Sequence, residues 1–203
     1  LSFNFIDAKT SQNASFPYYF NIDIDKELTL TPIFKYGGGV DSSQRFLFDY
    51  NQLISGGNLS VDLSIDSKIE NQNNERWFSD GSIVTSYSQN INENFNININ
   101  SALQTSRTYI RETDKESSYV NNSSLSSTLN LNRYGILKND DHLRFNVSTY
   151  QVVKKNQENA ITPTVLPYIT YSYQDYYGKT WYENNLQFYN ITRNTNSTTH
   201  AKE

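Results

Sequence analysis

Histidine, the commonest acid–base side chain, occurs only at His142 and His200 in this 203-residue chain, and cysteine does not occur at all. His142 stands in a charged turn and His200 in a polar tail, so both read as solvated surface groups. Without thiols there is neither a disulfide framework nor a thiolate metal site. No Gly-x-Ser-x-Gly elbow or His-Glu-x-x-His helix is present. Gly37-Gly38-Gly39 has the composition of a phosphate cradle, but it joins two strand-like runs instead of opening a helix, and a hairpin turn accounts for it. Asp23 with Asp25, and Asp140 with Asp141, offer oxygens to a divalent cation, yet neither pair has calcium-loop spacing and Asp is a turn former. Asp62 and Asp66 would have to converge in a cleft to work as glycosidase carboxylates; on one strand they line a polar surface. Arg45, Arg144 and Arg193 suit lipid phosphates, or the commoner cross-strand pairing with Asp or Glu. These residues point away from an enzyme, a cofactor or a metal centre.

The elements that hold them follow a two-residue beat. Residues 94 to 100 read Asn-Phe-Asn-Ile-Asn-Ile-Asn, which in a strand puts Phe95, Ile97 and Ile99 on one face and four carboxamides on the other. Phe16, Tyr18, Phe20, Ile22 and Ile24 alternate with Ser15, Pro17, Tyr19, Asn21 and Asp23; Leu59 to Asp66 and Leu143 to Ser148 do the same. This periodicity predicts about eleven strands, over 2–9, 14–24, 27–36, 40–51, 57–69, 76–89, 93–107, 118–132, 142–154, 164–174 and 179–193. Short connections, at Asp25-Lys26-Glu27, Gly56-Gly57 and Asn90 to Asn92, alternate with long polar ones, at Lys68 to Glu75 and Thr105 to Ser118. Outer-membrane barrels have this asymmetry, with short turns at one end and long loops at the other.

The composition agrees with such a barrel. Only 36% of residues are apolar and no run approaches a spanning helix, but a barrel strand needs apolar residues at alternate positions only. Sixteen Tyr, eleven Phe and two Trp make the chain 14% aromatic, which suits a membrane interface and, with the regular alternation, opposes disorder. A net charge of -4 argues against a nucleic-acid partner. A two-sheet sandwich gives the same alternation, so a soluble glycan-binding β-sandwich stays open beside a membrane barrel. Spans of ten to fifteen residues exceed the usual five or six of soluble strands. The chain opens at Leu1 with no methionine or leader and closes at Ala201-Lys202-Glu203 with no closing motif, and reads as an internal piece of something longer.

Phe16-Pro17-Tyr18-Tyr19-Phe20-Asn21-Ile22, followed by Leu28-Thr29-Leu30-Thr31-Pro32, resembles the start of the barrel domain of the lipopolysaccharide-assembly family LptD. Arg76-Trp77, Thr108-Tyr109-Ile110-Arg111 and Val165-Leu166-Pro167-Tyr168-Ile169-Thr170-Tyr171-Ser172-Tyr173 resemble further stretches of that family, in its order, with Ile169-Thr170 in place of a Leu-Asp pair. The resemblance covers essentially the whole chain. It implies an all-β, antiparallel transmembrane β-barrel, residues 1–203 being about the first eleven of twenty-six strands, without the periplasmic jelly-roll domain and the closing strands. It implies a place in the outer membrane of a Gram-negative bacterium and no catalysis. Lipopolysaccharide would arrive over a periplasmic LptA-type bridge through the jelly-roll domain, an LptE-like lipoprotein would plug the lumen, and lipid would leave sideways between the first and last strands. Pro17 matches the family's second-strand proline, which weakens that lateral gate because proline lacks the ladder N–H. Ser15, Tyr19 and Asn21 are then candidates for the lumen-facing lipopolysaccharide path. No proline lies in Leu1 to Lys9, where many members carry another. A passive porin or receptor-type barrel is the alternative within the membrane.

Overall fold

A computed structural model describes residues 2–4, 12–36, 43–69, 76–113, 118–137, 141–153 and 164–192. Gly37-Gly38-Gly39, Asp140, Arg193 and His200 fall outside these residues. Long alternating runs give long strands: β1 (Ser2–Asn4), β2 (Gln12–Ser15), β3 (Tyr18–Asp23), β4 (Lys26–Tyr36), β5 (Ser43–Ile54), β6 (Gly57–Ile69), β7 (Arg76–Asn92), β8 (Phe95–Gln104), β9 (Ser124–Tyr134), β10 (His142–Val152), β11 (Thr164–Tyr177) and β12 (Thr180–Thr192). One short helix, α1 (Tyr109–Thr113), interrupts them between β8 and β9.

All twelve strands pair into one antiparallel sheet in the order β1-β2-β4-β5-β6-β7-β8-β9-β10-β11-β12, with β3 also on β4. The sheet is open, with β1 and β12 at its ends. β2 and β3 pair with β4 in the same register across the break between them and occupy one position, so the sheet has the eleven positions that the periodicity predicts.

Paired residues point to the same side, so each face can be followed across the strands. Leu30, Phe48, Leu63, Ile83 and Leu103 pair in succession, as do Ile97, Leu131, Phe145, Ile169 and Phe188, making two rows of one apolar face. On the other face Asn96, Asn132, Arg144, Thr170 and Gln187 form a polar row. Of the apolar rows, Ile83, Leu103 and Phe188 are exposed, as are Phe20, Phe34 and Leu186 of the same face.

The connections divide by end. Two-residue turns join the strands at 24–25, 55–56, 93–94 and 178–179, and β9 meets β10 at the same end, Gly135 N–H donating to the Asp141 carbonyl at 3.1 Å; the strand ends at the opposite side are separated by longer stretches of sequence, such as 105–123 between β8 and β9. Next to the short turns, tyrosines of the apolar face reach toward their own strand ends. Tyr50 donates to Gln52 Oε1 (3.0 Å), Tyr87 to Gln89 Oε1 (2.5 Å) and Tyr173 to Asp175 Oδ2 (2.6 Å).

Boundaries depart from the sequence pattern chiefly around α1. β8 ends at Gln104 instead of 107, and β9 begins at Ser124 instead of 118. Turn-forming Ser and Asn take residues 118–123 out of the ladder, Asn122 N–H closing back on the Tyr119 carbonyl at 3.1 Å. The small core sits here too: Ala102, Tyr109, Ile110, Leu125 and Val153 are buried together, with Val84 and Tyr119 packed against them.

Gly56 shapes a two-residue turn with φ +76, where an added Cβ would run into the Asn90 carbonyl. Gly56→Ala should lower stability by about 1–2 kcal/mol, read as a fall in the unfolding midpoint in detergent; Gly178→Ala, with open space around it, should cost less.

Candidate functional site

The proline-containing strand positions the first group of candidates. Tyr19 pairs with Thr29, Asn21 with Glu27 and Ser15 with Ile33, which places all three on the polar face. Tyr19 is exposed and its hydroxyl donates to Glu27 Oε2 at 2.8 Å. Pro17 lies in the two-residue break between β2 and β3, and the unchanged register on either side makes the break an interruption of one strand.

The hydrogen bonds explain the break. Phe16 N–H donates to the Pro32 carbonyl at 3.1 Å. In an antiparallel pair the opposed residue normally returns a second bond, and Pro32 has no N–H to return. Alternate residues direct their backbone groups to opposite sides, so the donor that Pro17 lacks belonged to the edge away from β4. Two prolines thus remove one donor from each side of the same strand at one level. The Phe16 and Phe34 rings, 6.1 Å apart and edge-on, bridge the gap on the apolar face. Only Pro17 is legible as a breaker from sequence; the share of Pro32 emerges once the turn at 24–25 brings it opposite Phe16.

A second feature escaped the sequence reading. Arg45 and Asp66 are directly paired across β5 and β6, both buried, with Arg45 Nε donating to Oδ1 and an Nη group to Oδ2 at 2.8 Å. The guanidinium also donates to the Thr113 carbonyl (3.1 Å) and lies 5.6 Å from the centre of the Tyr109 ring. Tyr109 donates to Asp66 Oδ1 at 2.9 Å, and its hydroxyl is 2.7 Å from Ser64 Oγ. Nearby, Gln104 Oε1 accepts from Ile110 N–H (2.9 Å) while its Nε2 donates to the Arg107 carbonyl (2.8 Å). The 105–123 connection is therefore fastened down onto the polar face at the long-loop end. Arg45 takes the cross-strand reading, and Asp66 is its partner, not half of a catalytic pair. The available signal was an apolar Tyr-Ile step inside an otherwise polar connection.

Other candidates resolve into turn chemistry. Asp23 accepts from Ile24 N–H (2.8 Å), and Lys26 Nζ stands 3.8 Å from both Asp23 and Asp25. Asp141 is buried and accepts from Ile136 and Leu137 N–H (2.6 and 2.7 Å) and from the Tyr171 hydroxyl (3.0 Å). Among the described residues no group of three or more potential metal-binding side chains occurs. His142 departs from expectation: it opens β10, is half-buried, and stacks on Tyr134 with ring centres 4.4 Å apart. Pairing with Tyr134 across β9 and β10 draws it out of the solvated turn.

Comparison with protein-family models returns no match, and neither does comparison with curated proteins.

Two outcomes follow. Pro32→Val restores a donor toward the Phe16 carbonyl and should add about 1 kcal/mol to local stability, seen as slower amide exchange in β3. Burial first, and then the Asp66 carboxylate, push the Tyr109 phenol up to about 12 against Ser64, which lowers it, from an ordinary 10.0. A raised phenol stabilises the docked loop below its ordinary value, so that contribution should be lost as pH climbs from 10.0 to about 12. Tyr109→Phe should abolish this step and increase proteolysis within 105–123, with the loss of its hydrogen bonds costing about 1–2 kcal/mol.

Proposed function

We propose that this chain belongs to an outer-membrane β-barrel that inserts lipopolysaccharide into the outer leaflet through a lateral seam at β2 and β3. The observation that carries the barrel reading is the single sheet itself: every strand pairs into one layer, and its apolar face presents exposed Leu, Ile and Phe. A sandwich would divide the same strands between two facing layers. β4 to β12 are ten to seventeen residues long, and a strand of roughly ten residues tilted by about 45° crosses a bilayer core. The tyrosines beside the two-residue turns suit an interface belt, and long connections at the opposite end suit the cell exterior.

The double-proline break favours a lateral gate over a passive pore or receptor barrel, because a pore has no use for weak pairing at one level. On this reading the polar face lines a lumen that holds a lipoprotein plug and passes the saccharide and phosphate portion. Acyl chains leave through the seam into the leaflet. The upstream partner is a periplasmic bridge acting through a jelly-roll domain.

Photo-crosslinking side chains at Ser15 and Tyr19 of the complete protein should capture lipopolysaccharide in active cells; repeated failure in an active protein would overturn the gate. Spin labels at Leu63 and Ile97 should be relaxed by membrane-dissolved oxygen, and protection from it would remove the membrane assignment.

A further inference from the structure

Of three arginines with similar sequence settings, the structure separates two. Arg45 is buried against Asp66, whereas Arg144, on the same polar face, is exposed and forms no ion pair among the described residues. Among the described residues, its strand neighbours on that face carry no carboxylate. The alternate residues that share its face are Ser126, Thr128, Asn130, Asn132 and Tyr134 on β9, His142, Asn146, Ser148 and Tyr150 on β10, and Tyr168, Thr170, Ser172 and Gln174 on β11. None of them is a carboxylate. Glu183, on the same face of β12, accepts from Asn185 at 2.8 Å, and Asp141 is committed to its own turn and to Tyr171.

Asn132 organises this cation. Nine-tenths buried, it donates through Nδ2 to Asn96 Oδ1 at 2.8 Å, which fixes its Oδ1 as an acceptor. That single oxygen meets Arg144 Nε at 3.2 Å and His142 Nε2 at 3.3 Å. Accepting from Nε2 assigns the proton of neutral His142 to that nitrogen and leaves Nδ1 to take a second proton. The Nη groups of Arg144 donate to no described residue, and the His142 ring is held flat against Tyr134. An arginine held at Nε, with its two Nη groups spent on no described residue and an imidazole alongside, keeps a fork that can hold two oxygens of one oxyanion.

We infer that Arg144, His142 and Asn132 form an anion-binding site on the polar face, at the short-turn end, for the phosphate of a phosphorylated saccharide. The geometry stands by itself; that the saccharide is lipid-borne rests on the function proposed above. Phosphate is favoured over a carboxylate because a phosphate monoanion carries a hydroxyl that can donate to the bare Nδ1 of neutral His142 while its other oxygens take the Arg144 fork.

His142 itself supplies the probe. In the complete protein, purified in detergent with labelled histidine, the His142 Cε1–H resonance, identified by its loss in His142→Gln, is followed during additions of inorganic phosphate, glucosamine 6-phosphate and plain glucosamine. The two phosphates should shift it saturably and glucosamine should leave it in place. Arg144→Gln should weaken binding by about tenfold or more, and Arg144→Lys by less, since lysine keeps the charge but loses the fork. An unmoved resonance, equal binding of glucosamine, or undiminished affinity in Arg144→Gln would overturn the site. In a second arm, micelles carrying a diphosphorylated glucosamine-disaccharide lipid are compared with the dephosphorylated lipid. Binding of the free phosphosugar with no response to the phosphorylated lipid would keep the site and reject a lipid source; absent crosslinks at Ser15 and Tyr19 would reject the gate while leaving the site intact.

Discussion

Backbone pairing within one layer is the constraint on which everything else in this protein depends. A β-sheet has two faces and two edges, and each must be satisfied by solvent, side chains or another strand. Interior strands have both edges occupied, so their faces are free to specialise, and the two-residue beat gives each strand one apolar and one polar side. Register does the rest. Because Leu30, Phe48, Leu63, Ile83 and Leu103 are paired in succession, a slip of one residue at any strand would turn apolar residues onto the polar face beyond it.

The polar face meets its own requirement mostly without charge. Asn96 accepts from Asn132, Asn130 from Asn146, and Asn98 and Asn100 from Ser88 and Ser86. Carboxamides both donate and accept, so neighbours on adjacent strands satisfy one another while groups remain for water or a saccharide. Charge is concentrated where it fastens something. Arg45 and Asp66 would be costly to bury alone, and their bonds to each other, to Tyr109 and to the Thr113 carbonyl make their burial conditional on the 105–123 connection being docked. This couples loop position to strand pairing at β5 and β6.

What was legible in the sequence follows from the range of each interaction. Strand existence is written in local alternation, and β6 spans the same 57–69 that the pattern predicts. Turn positions were nearly as clear, because Gly56 must supply a left-handed φ where Ser55 and Gly56 reverse the chain. The loop anchor was only half legible: the apolar Tyr109-Ile110 step marks a segment that packs, but its partners Ser64 and Asp66 lie more than forty residues away and nothing local names them. His142 was misplaced for the same reason, since its stacking partner lies across a turn on another strand. Among the arginines, sequence offered the same two readings to Arg45 and Arg144, and only the cross-strand neighbour, Asp66 in one case and Asn132 in the other, tells them apart.

The placement of the prolines bears on how a seam can be weak without the sheet being fragile. Removing one ladder donor lowers pairing by about 0.5–1.5 kcal/mol, small beside the long ladders between β5, β6 and β7. Had both donors been lost from the same side, β4 would be poorly held and the defect would spread into the interior of the sheet. Pro32 weakens only the bond toward Phe16, and Pro17 weakens only the edge facing away from β4, while the Phe16–Phe34 contact and the constant register hold the broken strand in place. The defect is confined to one position, next to β1 at the end of the sheet. On the proposed function, that confinement is what allows a lipid to part the strands there while the rest of the sheet stays closed.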